Sequence, residues 1–151
     1  MKKQLWLCPF LALLLAACRV MPRENEGFRS PPAAEAERLR LGSERLGDGI
    51  LRAFQQADFA ALRHNTPGEL SERVTEADFL TSCRNFDAKF GKLAEFRFLT
   101  SLDTPAFCNL IWVATFIRKG KNGDDIRRQL LFRVVTMTVD GKIHVASYGF
   151  L

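Results

Sequence analysis

The sequence has little of what most catalytic and metal-binding sites are built from. Its 151 residues include two histidines and four cysteines, and no His, Cys or Asp cluster has the spacing of a metal site. No glycine-rich phosphate loop follows a strand pattern, because Gly120 and Gly123 fall in a predicted hairpin loop. We therefore expect no metal and no cofactor, and we assign no catalytic residue.

The chain also lacks a concentrated basic stripe. Its net charge is +5, but Lys2 and Lys3 lie in a leader, and the remaining residues carry +3 with mostly alternating signs. Because nucleic-acid-binding proteins usually cluster their cations, we expect no nucleic-acid partner. The densest cluster, RKGKNGDDIRR from Arg118 to Arg128, is interpreted as a soluble hairpin tip, and contact with an acidic surface is the less favoured alternative.

No apolar run is long enough to span a bilayer as a helix. Residues 5–17 form an apolar run of signal-peptide length behind Lys2 and Lys3, and this run ends in Leu15-Ala16-Ala17-Cys18. The ending resembles the lipobox of bacterial lipoproteins. The resemblance implies a signal peptide over residues 1–17 and acylation of Cys18, including palmitate, which anchors the protein to a membrane. The alternative is an ordinary secretory signal with an incidental cysteine.

The residues after Cys18 bear on location and organisation. Arg19 stands where an aspartate tends to retain enterobacterial lipoproteins at the inner membrane, so the resemblance favours the periplasmic side of the outer membrane. Residues 19–32 contain three prolines, mixed charge and no apolar period. We therefore predict a lipidated flexible tether over residues 18–32 and a folded domain over residues 33–151.

Hydrophobic periodicity predicts helices first and strands afterwards. Leu39, Leu46, Ile50 and Phe54 share one stripe of a first helix, whose first half is weakened by glycines. Asp58 and Thr75 are candidate caps for two further helices. The predicted helices are 33–56, 59–64 and 76–90, and the predicted strands are 94–101, 107–118, 127–139 and 142–150.

This order predicts an α+β domain with a four-stranded antiparallel sheet. The stretches ILRAFQQADFAALRHNTPGEL and TEADFLTSCRNFDAKFG, with the long strand pair either side of GKNGDD, resemble the nuclear-transport-factor-2-like superfamily of cystatin-like cones. The resemblance implies helices packed on one face of a curved sheet. It says little about function, because such cones include enzymes, binding modules and adaptor domains.

Strand alternation separates two faces of the predicted sheet. We place the bulkier and less polar face against the helices: Phe96, Phe98, Cys108, Leu110, Trp112, Phe116, Leu130, Phe132, Val134, Ile143 and Val145. The other face is mixed, and we predict a partner surface there, for a homodimer or an envelope protein: Ile111, Val113, Leu131, Arg133, Val135 and Tyr148. The alternative is that the N-terminal segment or a loop covers this face.

The functional hypothesis is a non-catalytic, lipid-anchored envelope protein that binds a partner protein or a small ligand through the cone or the outer sheet face. The alternative is an isomerase- or dehydratase-like enzyme, which would need a buried acid facing the cone, and the sequence does not place one. Cys83 and Cys108 are both predicted to point inward. They either form a disulfide or remain two buried thiols, because the sequence does not supply the distance between them.

Overall fold

Helices occupy the first half of the described chain and strands the second. The computed structural model describes residues 32–104 and 107–151. The elements are α1 Ala33–Gln56, α2 Phe59–Asn65, α3 Leu70–Arg73, α4 Glu76–Phe90, β1 Lys92–Asp103, β2 Cys108–Lys119, β3 Asp125–Val139 and β4 Lys142–Phe150. The predicted signal peptide, Cys18 and nearly all of the predicted tether lie outside the described residues.

Side-chain oxygens cap the N-termini of α2 and α4. The Ala61 N–H donates to Asp58 Oδ1 over 2.9 Å, and the Asp78 N–H donates to Thr75 Oγ1 over 3.2 Å, which confirms both predicted caps. Gly91 ends α4 with a φ of 94°, where a side chain would be strained. Helix α3 was not predicted, because a helix of a single turn is too short to show a hydrophobic period.

The four strands form one antiparallel sheet in the order β1-β2-β3-β4. Asp140 and Gly141 join β3 to β4 with positive φ values of 51° and 72°, as a two-residue hairpin turn requires. The helices pack on one face of the sheet, through the contacts of α1 with β1, β2 and β4 and of α4 with β1 and β2. These features confirm the predicted fold class, an α+β cone with helices on one face of the sheet.

Helix α1 crosses the sheet closely and is continuous through its glycines. Gly47 lies directly against the Trp112 ring, so the absence of a side chain there lets the helix approach β2. Ser43 Oγ and Thr136 Oγ1 hydrogen bond over 2.8 Å across the same buried interface. Most of the other buried residues are apolar, and Trp112 and Phe132 are fully buried.

A bulge in β4 changes which side chains face the core. Val135 pairs with Ser147, but the next residue of β3, Thr136, pairs with Val145, so Ala146 is an extra residue. Beyond the bulge Tyr148 faces the helices, and its ring centroid lies 6.3 Å from that of Phe54. The prediction that Tyr148 belongs to the outer partner surface is therefore wrong. Strict alternation fails here because one inserted residue reverses the side-chain direction of all that follow.

Candidate functional site

The interior of the cone is filled by aromatic rings. The Phe150 centroid lies 4.6 Å from that of Phe86 and 4.9 Å from that of Phe132. Phe54 makes an edge contact with Phe79 at 5.1 Å. Rings at these separations make direct contact, so this part of the cone is a packed core. In the described part of the chain, every buried side-chain nitrogen or oxygen has a hydrogen-bond partner.

One acidic residue of α1, Asp48, contacts the core of the cone and was not predicted as a site residue. Asp48 is half-buried, and its Oδ1 accepts a hydrogen bond from Trp112 Nε1 over 2.8 Å. This contact gives the indole N–H of a fully buried ring its partner. Ser43 and Gly47, small residues four apart, indicate the face of α1 closest to the sheet, but nothing in the sequence marks Trp112 as the partner of Asp48.

The outer face of the sheet brings the other predicted partner residues together. Val113 pairs with Leu131, and Ile111 pairs with Arg133 on the neighbouring strand. Val135 pairs with Asn109 further along the same two strands. The side chains of Ile111, Val113 and Val135 are half-buried, whereas Leu131 is 39% exposed. We call Ile111, Val113, Leu131 and Val135 the outer patch.

The described helices leave this face open, since they pack against the opposite side of the sheet. Arg133 stands between Leu131 and Val135 on β3 and is exposed. Its β4 neighbour, Gly149, has no side chain to cover it. The outer patch is therefore an apolar surface with a cation at its centre, a combination that occurs at protein interfaces.

The two cysteines of the folded domain are not bridged to each other in the structure. Cys83 is buried on α4, and Cys108 is half-buried at the start of β2. Burial raises the pKa of the Cys83 thiol, and the charge of Asp87 raises it further. Cys83 is thus a poor nucleophile at neutral pH and serves as a small apolar side chain.

A second surface feature lies between the first half of α1 and the β3–β4 hairpin. This groove has a volume of about 480 Å³. Three exposed cations and several apolar side chains line it, including Arg38, Arg45, Lys142, Leu41, Leu46 and Ile143. We call it the basic groove. Among the described residues no ion pair involves Arg45 or Lys142, and Arg38 Nη2 lies 3.9 Å from Glu35 Oε1.

The β2–β3 hairpin tip carries the other cluster of cations, but part of its charge is neutralised. Lys119 Nζ lies 2.8 Å from Asp125 Oδ1, and Arg127 Nη1 lies 3.9 Å from Glu95 Oε1. These pairs are exposed, so each adds little stability. They agree with our interpretation of the segment as a solvated hairpin tip.

Residues 32–104 and 107–151 contain no group of three His, Cys, Asp or Glu side chains placed to hold a metal ion. Within the same ranges, no helix combines the length and the apolar character needed to cross a bilayer.

Comparisons with known proteins bear on the fold alone. No protein-family model matches the chain, and neither does any curated protein sequence. A SEC-C motif containing protein from Rhodopseudomonas palustris is similar in structure, with a TM-score of 0.51 and 17% identity over 78% of this chain and 86% of that chain. Aln2 from a Streptomyces species aligns with a TM-score of 0.45 and 12% identity over 81% of this chain and 93% of that chain. The first likeness shows an α+β fold with a four-stranded sheet, and such a fold does not specify an activity.

Proposed function

We propose that the protein is a non-catalytic, lipid-anchored protein of the cell envelope, with a cone of the nuclear-transport-factor-2-like type that binds a partner protein through the outer patch. The single observation that carries the binding role is the exposed apolar face of the sheet, to which the described helices contribute no cover. Soluble domains seldom leave a grouped apolar surface of this kind without a use for it.

The membrane location is supported by the sequence. Leu15-Ala16-Ala17-Cys18 combines small residues before a cleavage point with a thiol that can be acylated. Acylation by more than one chain makes an anchor stable, whereas one chain holds a protein only marginally. We propose the periplasmic side of the outer membrane as the location.

The packed interior supports binding over catalysis. An isomerase- or dehydratase-like cone needs an acid or base with room for a substrate beside it. Asp48 is the acid found near the cone, but its carboxylate is held by Trp112 Nε1. The aromatic rings around Phe132 and Phe150 occupy space that such an enzyme would give to its substrate.

The anchor is tested by Cys18→Ser. We expect this change to abolish uptake of labelled palmitate and retention in the membrane fraction after a high-salt wash, because the acylated thiol is lost and the wash removes proteins held by charge alone. Cys83→Ser, in the same lipoprotein-competent host, is the matched control and should leave both unchanged. If Cys18→Ser protein still incorporates palmitate and still fractionates with membranes, the proposed anchor is wrong.

The binding surface is tested by Val113→Lys, which places a charge inside the outer patch. We expect it to weaken self-association or partner binding by at least roughly tenfold with little loss of stability, because burying an unpaired charge at an interface is costly. Asn122→Lys adds the same charge at the exposed β2–β3 hairpin tip, away from the patch, and should have no effect. Sedimentation and partner pull-down measure binding, and thermal melting measures folding. A sharply lowered melting temperature with unchanged association would show that Val113 belongs to the core instead.

A further inference from the structure

The basic groove lies at the end of the domain where the chain arrives from Cys18. Arg38 is in the first half of α1 and Arg45 is at its midpoint, and the first residue of the helix is Ala33. At 1.5 Å per residue, Arg45 lies about 20 Å along the helix from that first residue. The chain from Cys18 to Ala33 can span at most about 50 Å. An anchor at Cys18 therefore lets the groove reach the bilayer, because the chain enters the domain at the end of α1 that carries Arg38.

The groove combines the two kinds of side chain that bind a phospholipid surface. Its cations, Arg38, Arg45 and Lys142, suit phosphate oxygens, and none of the described residues that line it is an acid. Its apolar side chains include Leu41, which is 41% exposed beside these cations. Peripheral membrane binding adds apolar contact to electrostatic attraction for anionic lipids in the same way.

The cations of the β2–β3 hairpin tip lie at the opposite end of the sheet. Strand β3 runs from Asp125 near this tip to Val139 at the other turn, a distance of roughly 45 Å at strand geometry. Two of the tip cations, Lys119 and Arg127, pair with carboxylates. In the groove Arg38 lies as far from Glu35 as Arg127 does from Glu95, whereas Arg45 and Lys142 form no ion pair with any described residue. The domain thus presents the groove cations at the tether end and a partly neutralised cluster at the far end.

We propose that the basic groove binds the phosphate-bearing headgroups of anionic phospholipids in the membrane that carries the anchor. Phosphate oxygens accept hydrogen bonds from Arg38, Arg45 and Lys142, and Leu41 contacts the acyl–glycerol boundary. Docking in this way orients the domain with the hairpin tip away from the lipid. This proposal rests on the proposed lipid anchor. It specifies in addition the class of lipid that the domain contacts and the orientation of the domain on the bilayer.

The experiment uses the chain from residue 18 onward carrying Cys18→Ser, which retains every residue of the described domain. Co-flotation is measured with vesicles of phosphatidylglycerol and phosphatidylethanolamine, and with vesicles of phosphatidylcholine. We expect binding to the anionic vesicles alone, and weaker binding as salt is raised. The triple variant Arg38→Gln, Arg45→Gln, Lys142→Gln should bind roughly 100-fold more weakly, since each cation contributes about fivefold near an anionic surface.

The matched control removes three cations from the hairpin tip: Arg118→Gln, Lys121→Gln and Arg128→Gln. We expect it to keep its vesicle binding within about threefold of the unchanged chain, because these side chains point away from the bilayer. Equal loss in both triple variants would overturn the proposal in favour of general charge attraction. Equal binding to anionic and phosphatidylcholine vesicles would overturn it as well.

Competition with inorganic phosphate distinguishes a site for lipid headgroups in a bilayer from a site for free phosphate. Phosphate should release the protein from anionic vesicles no better than chloride of equal ionic strength. Stronger release by phosphate would overturn the lipid assignment. Because the test chain has no acyl group, failure here leaves the anchor standing, whereas failure of the anchor appears in the fractionation of the full-length Cys18→Ser protein.

Discussion

Asp48 and Trp112 form one of two hydrogen bonds between side chains described between α1 and the sheet, and the other joins Ser43 to Thr136. The Trp112 ring is fully buried, and its Nε1 donates to Asp48 Oδ1 over 2.8 Å. A buried N–H that loses its acceptor costs free energy, because water cannot replace the missing partner. We interpret Asp48 as the residue that orients Trp112 in the core.

We predict that Asp48→Ala lowers the free energy of unfolding by about 1–3 kcal/mol, since it leaves the indole N–H without its partner. Asp48→Asn keeps an oxygen acceptor at the same place and should lose less. Urea unfolding followed by tryptophan fluorescence measures both variants. Equal stability of Asp48→Ala and the unchanged chain would contradict this role.

At the scale of the element, α1 depends on small residues for its position. Ser43 and Gly47 lie one turn apart on its buried face, against Thr136 and Trp112. Gly47 is costly for a helix in isolation, but it allows a close approach that a larger residue would prevent. Helix propensity therefore disfavours glycine at position 47, but the close packing of α1 against the sheet outweighs this cost.

Gly47→Ala tests this balance. Alanine gains about 1 kcal/mol in helix propensity, but its Cβ would overlap Cη2 of the buried Trp112 ring. We expect a net destabilisation of about 1–2 kcal/mol, because overpacking a filled core costs more than the propensity returns. Gly42→Ala is the matched control, since its Cβ would meet only the flexible end of Ile143. Thermal and urea unfolding of both variants decide the prediction, and equal stability of the two would contradict it.

Strand β4 shows why an element can be predicted while its faces are not. Its bounds, Lys142–Phe150, match the prediction. The bulge at Ala146 then turns Tyr148 and Phe150 towards the helices, where both rings contact Phe54. No residue type in the strand marks a bulge, so its position depends on how β4 pairs with β3.

For the whole molecule, Cys83 on α4 and Tyr148 on β4 make the free energy of unfolding depend on pH. Burial raises the pKa of Tyr148 above its ordinary value, and the charge of Cys83 raises it further. Burial likewise raises the pKa of Cys83. Both groups are neutral in the folded state at a pH where the unfolded chain has begun to lose its protons. The stability that they contribute is therefore complete below the unfolded pKa values and is lost as pH rises through the folded ones.

We predict that the free energy of unfolding is level from about pH 7 to pH 8 and falls by about pH 10, where the unfolded groups ionise. Tyr148→Phe should reduce this fall, because it removes one of the two groups. Tyr148 is the one tyrosine of the chain, so tyrosinate absorbance reports its titration directly. Identical tyrosinate titrations of native and urea-unfolded protein would contradict the prediction.

The sequence by itself determined three of the four described helices, the four described strands and their order. Apolar periods of four and two residues, the caps Asp58 and Thr75, and the Asp140-Gly141 turn are local signals, and local hydrogen bonding and sterics are sufficient to produce them. The antiparallel fold class follows from that order, and the structure confirms it.

Only the tertiary structure decided which side chains meet. The Asp48–Trp112 hydrogen bond joins residues 64 positions apart, and the basic groove joins α1 to the hairpin between the last two strands. Neither contact has a local signature, because each exists only once helix and sheet have packed. The bulge at Ala146 has the same origin, since the register of β4 minimises the energy of the whole core rather than that of one strand. For this reason Tyr148 was assigned to the wrong face. Ile111, Val113, Leu131 and Val135 lie together on the outer face, as the alternation predicts, because the pairing between β2 and β3 has no register shift.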